Sequence, residues 1–141
     1  MRASVSREQS MDDLLAAYDR LASHPSVDNN AIAVIGSSYG GYLATILSGI
    51  RPVKWLALRV PALYWDADWD MPKQALDRDK LAHYRRSAVT AADNRALAAC
   101  KEFKGDVLLV ESETDDYVPH ATLMSYRTAF DLAHSLTYRL V

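Results

Sequence analysis

The run Gly36-Ser37-Ser38-Tyr39-Gly40-Gly41 places two serines among three glycines. Gly36 to Gly40 fits G-x-S-x-G, which between a strand and a helix forms a nucleophile elbow. Such a turn reverses the chain within a few residues and strains the backbone of its central residue. Side chains two positions away on either side would collide across it, which asks for Gly36 and Gly40. Gly41 gives the following helix room to approach the strand. On this reading Ser38 is the catalytic nucleophile and Ser37 fills the variable position. The Tyr39 N–H opens the helix and donates to an oxyanion hole. A phosphate-cradling turn is the competing reading. It lacks the Lys-Ser/Thr of a P-loop and the spacing of G-x-G-x-x-G.

The elements around this run suit the turn. "AIAVI" (31–35) is apolar and β-branched, and reads as a strand covered on both faces. A helix is predicted over 39–48, closed by Gly49. Upstream, "SMDD" makes Ser10 the expected start of a helix that His24-Pro25 ends. Downstream, "VKWLALRV" (53–60) predicts a second strand, 74–84 a short helix and 90–103 a longer one capped by Thr90 or Asp93. "DVLLVES" (106–112) predicts a third strand, 121–135 a helix, and "LTYRLV" a last strand. This alternation predicts an α/β fold, a mostly parallel sheet with helices on both faces. It fits a single domain over 1–141.

Composition narrows the function classes. The chain has 141 residues, a formal net charge of -2 and a single cysteine, Cys100. No basic run exceeds Arg85-Arg86, so no nucleic-acid partner is expected. No apolar run approaches the ~20 residues of a membrane span, and residues 1–10 lack a signal-peptide core. The cytoplasm is the expected location. Cys100 lies in a helical pattern and reads as a buried structural thiol.

"VIGSSYGGYLATIL" resembles the elbow of the α/β-hydrolase superfamily, in its dienelactone-hydrolase-like and prolyl-oligopeptidase-like branches. "DVLLVESETDDYVPH" resembles the strand and loop that present the triad acid there, with the acid three residues before a Val-Pro pair. Carried onto this sequence, the acid is Asp115, with Asp116 as the fallback. Aspartates that merely begin the next helix are the structural alternative. Ser112 stands where the superfamily usually has glycine. The resemblance implies a serine hydrolase acting through an acyl-enzyme on an ester, thioester, lactone or peptide-like bond, with a small-molecule acyl substrate and no cofactor.

The resemblance also implies a catalytic triad histidine after the last strand, and none of the four histidines sits there. His24 and His83 precede the acid. His120 begins a helix directed away from the acid loop. His134 is expected on the apolar stripe at that helix's end. Residues 1–9 offer no loop for the second oxyanion donor. The chain therefore reads as a partial α/β-hydrolase domain. It is a piece of a longer product, a short binding or interaction protein that has lost catalysis, or an enzyme that uses His134 after rearrangement. An uncovered sheet edge is expected to favour a homodimer.

Residues 61–89 follow the strand after the elbow, where such hydrolases often carry a cap-like insert. Tyr64, Trp65 and Trp69 are its candidate substrate-binding residues. Asp66, Asp68 and Asp70 lack the glycine and glutamate of a calcium loop, so no metal is expected. Arg59, at a strand's end, either pairs with a structural acid or holds a substrate carboxylate.

Overall fold

The computed structural model describes residues 4–141. Helix α1 (Arg7–Ala22) leads into β1 (Ala33–Ser37), α2 (Tyr39–Ser48) and β2 (Trp55–Arg59). Then come α3 (Arg78–Arg86), α4 (Arg95–Glu102), β3 (Asp106–Glu111), α5 (His120–Ala129) and β4 (Ser135–Leu140). The strands form one parallel sheet in the order β1-β2-β3-β4.

That order decides where the helices lie. Right-handed crossovers that always step the same way put every crossover helix on the same face. Leu56, Leu58, Val107 and Leu109 on that face are buried beneath a layer of α2 and α5, against both of which α4 packs. The opposite face carries Ile35, Trp55 and Leu108, all exposed. The alternation of helix and strand suggested cover on both faces; among the described residues the cover is on one.

Helix α1 begins a turn earlier than Ser10. Ser6 is its N-cap and forms a full capping box with Gln9, side chain to backbone in both directions. The pair is visible in the sequence as S-x-x-Q, one turn before Asp12 and Asp13. Helix α4 likewise starts later than Thr90 or Asp93, which lie in a short 3-10 turn. Its cap is Asn94, whose Oδ1 accepts from the N–H of Ala96 and Leu97. Asn94 is buried, and its Nδ2 donates to the Tyr64 carbonyl and the Tyr84 hydroxyl. One side chain thus ties the 61–89 segment to the core. Cys100 is fully buried, and burial pushes its thiol up.

Candidate active site

Ser38 lies between β1 and α2 with φ 53° and ψ -119°. A serine in this region costs on the order of 1–3 kcal/mol, so neighbouring structure must hold it there. Three hydrogen bonds do so. Its N–H donates to the Arg59 carbonyl at 3.0 Å. Its carbonyl accepts from Tyr42 N–H at 3.1 Å and Ala62 N–H at 2.9 Å. A Cβ on Gly36 would lie 2.5 Å from the Gly40 carbonyl oxygen, and one on Gly41 would lie 3.0 Å from Pro61 Cβ. A Cβ on Gly41 would thus make Pro61 give by a few tenths of an ångström, whereas Gly36 is sterically required. Gly40 is not: a Cβ there meets nothing within 4 Å.

Although Ser38 is the N-cap of α2, its side chain makes no capping bond. The residue is exposed, and its hydroxyl has no hydrogen bond among the described residues. The first N–H groups of any helix have no intrahelical partner, and the Tyr39 N–H has none among the described residues.

A second strained residue adjoins the turn. Val60, buried at the end of β2, has φ 39°. A β-branched residue there is a true outlier. Its N–H donates to the Val110 carbonyl at 2.8 Å, and Pro61 and Ala62 then pass under the elbow. Nothing in the local sequence signals Val60.

Asp115 follows β3. Its Oδ1 accepts from Tyr117 N–H and Val118 N–H, each at 2.8 Å. Its other oxygen, Oδ2, has no partner among the described residues. Ser37, Arg59 and Val110 are in register, so the elbow and the acid loop leave the same edge of the sheet. Two strand spacings, roughly 10 Å, separate β1 from β3 at that edge, room for an intervening imidazole.

The histidines are elsewhere. His134 is exposed in the turn before β4, beyond the end of α5, and lies on no apolar stripe. Its Nδ1 lies 2.7 Å from Asp106 Oδ1, at the start of β3. That is the sheet edge opposite Ser38, so His134 has no path to the elbow. With Ser135 Oγ it holds the Asp106 carboxyl below the usual carboxylate range. His120 opens α5, with Nδ1 2.8 Å from Oε1 of the buried Glu111, which also accepts from the Tyr138 hydroxyl. His24 sits in the turn after α1, and exposed His83 borders a hollow beside Trp65. Among the described residues no histidine lies within 4.0 Å of Asp115.

The three aromatic candidates separate. Tyr64 is buried against the ring of Tyr39, with centroids 5.7 Å apart edge to face. It lines a cleft of about 560 Å³ together with Lys73, Arg85, Asp116 and Tyr117. Trp65 lines a separate hollow with Lys80, His83 and Tyr84. Trp69 packs between Arg7 and Arg95. Arg7, missed in the sequence, is fully buried. It donates to the Trp65 and Ala67 carbonyls and clasps the segment to α1. Arg59 meets no carboxylate among the described residues; its Nη2 lies 3.4 Å from Ser112 Oγ. The described residues contain no group of metal-ligating side chains, and no helix among them is long and apolar enough to cross a membrane.

The fold and this edge of the sheet define an α/β-hydrolase architecture. The chain belongs to the prolyl oligopeptidase family, whose profile matches residues 6–141. A search of curated proteins finds no match. Solved structures share the fold. An acylaminoacyl peptidase from Pyrococcus horikoshii superposes with a TM-score of 0.62 at 18% identity, over 98% of this chain and 23% of that one. An acetyl xylan esterase from Paenibacillus sp. R4 gives 0.66 at 18%, over 94% and 45%. An esterase domain from a Rhodothermus marinus protein gives 0.60 at 17%, over 91% and 56%. The chain spans 23%, 45% and 56% of the length of these three structures. The expectation that residues 1–9 supply no oxyanion donor falls partly on residues 1–3, outside the described residues.

Proposed function

We propose that this chain carries the nucleophile and the acid of a serine hydrolase acting on an ester, thioester, lactone or peptide-like bond. The observation that carries the reading is Ser38: it is strained and exposed, and neither its hydroxyl nor the adjoining Tyr39 N–H has a hydrogen-bond partner among the described residues. In the reaction Ser38 Oγ attacks the acyl carbon and its proton passes to a histidine. The carbonyl oxygen gathers negative charge against the Tyr39 N–H, and the leaving group takes the proton back from the histidine. Asp115 orients that histidine through Oδ2, while Oδ1 stays fixed by the turn. The histidine comes from outside the described residues, so the 141-residue chain by itself is expected to turn over little substrate.

The test is hydrolysis of p-nitrophenyl acetate by the chain and by the longest product of its gene. Ser38→Ala in the active form should lower kcat at least about a thousandfold, and Asp115→Asn about a hundredfold or more. Full activity in Ser38→Ala would overturn the reading.

A further inference from the structure

The cleft beside Tyr39 has an unbalanced charge. Its lining holds three cations, Lys73, Arg78 and Arg85, and one acid, Asp116. Among the described residues no carboxylate lies within 4.0 Å of any of the three cations. Lys73 follows Pro72, and its backbone N–H is anchored on the Val5 carbonyl at 3.1 Å. Its Nζ sits 4.0 Å from the ring centroid of Tyr39, the residue directly after Ser38. Arg85 stands on the last turn of α3. Its Nε donates to the Leu63 carbonyl at 3.0 Å and its Nη1 to the Tyr117 carbonyl at 3.2 Å. Its guanidinium covers the Tyr64 ring at 4.8 Å. These bonds fix the group and leave Nη2 without a hydrogen-bond partner among the described residues.

Half-buried cations without counter-charge are costly, and a bound anion removes that cost. Burial first, and then the nearby Arg85, holds the Lys73 ammonium below its usual range. Leu76 and Leu81 add apolar lining to the same cleft.

We propose that this cleft selects a substrate bearing an oxyanion, a carboxylate or a phosphate, held by Lys73 and Arg85. The proposal rests on the hydrolase reading only for the position of the reacting carbonyl. Titration calorimetry of the chain with glutarate, n-propyl phosphate and the neutral glutaramide tests it without turnover. At least one anion should bind, at least about tenfold more tightly than glutaramide. The arm that binds identifies which oxyanion is recognised. Lys73→Glu should weaken that anion at least about tenfold, and the exposed Arg78→Glu about twofold. Arg78→Glu keeps the test available should Lys73→Glu fail to fold. Equal binding of glutaramide, no binding of either anion, or affinity unchanged in the folded variants would overturn the proposal. A negative titration condemns the anion site and leaves Ser38 standing. A negative hydrolysis assay does the reverse.

Discussion

The two faces of the sheet are made from the same apolar strands and meet different surroundings. On one, Leu56, Leu58, Val107 and Leu109 are sealed under the helical layer of α2 and α5. On the other, Ile35 is 83% exposed, Trp55 40% and Leu108 39%. Runs such as "AIAVI" carry apolar residues for both faces, so composition alone treats the faces as equals. Strand order separates them, because a sheet that grows in one direction stacks its crossover helices on one side. Contiguous exposed apolar residues mark a contact surface.

The contrast can be broken most sharply in the sealed layer. Leu109→Ala should cost about 2–5 kcal/mol in urea unfolding, because the site is wholly buried. Gly36→Ala comes next. Its Cβ would press on the Gly40 carbonyl and Gly41 Cα, costing about 2 kcal/mol or more. Gly40→Ala should be tolerated, and a matching loss there would contradict the steric account of the elbow.

Ionisation sharpens the same contrast. Tyr42 lies under the sealed face, and burial pushes its phenol up to about 12. The unfolded phenol ionises near 10, so between pH 10 and about 12 only the unfolded state loses this proton. Its contribution to stability is complete below pH 10 and falls across that window. Tyr42→Phe should flatten the decline in urea midpoint over those two units. The smallest effect is expected on the bare face, where Ile35→Thr should change stability by no more than about 0.5 kcal/mol. A loss of about 2 kcal/mol there would mean that the face is covered in solution.

Much of this was legible in the residues. The span of α2 and the turn at Ser38 follow from a β-branched run meeting glycines and then a small-residue helix, and β3 follows from the apolar run in "DVLLVES". Helix starts were harder to read. Ser6-x-x-Gln9 and Ser10 with its two acids are both plausible caps, and the choice depends on where the chain meets the 61–89 segment, through Glu8 N–H to the Trp69 carbonyl. The roles of Arg7 and Val60 were hidden, because a buried cation and a strained valine are fixed by partners about 60 and 50 residues away. His134 was misplaced because α5 ends at Ala129, and a turn carries the ring to Asp106.

The central claim is that residue 38 presents an activated hydroxyl at a strained bend. Mass spectrometry after treatment with a fluorophosphonate tests it most directly, on the chain and on the longest product of its gene. The account predicts a phosphonyl adduct on Ser38 in the form that supplies the histidine, absent in Ser38→Ala and retained in Ser37→Ala. An adduct on Ser37, or none in any form, would contradict it.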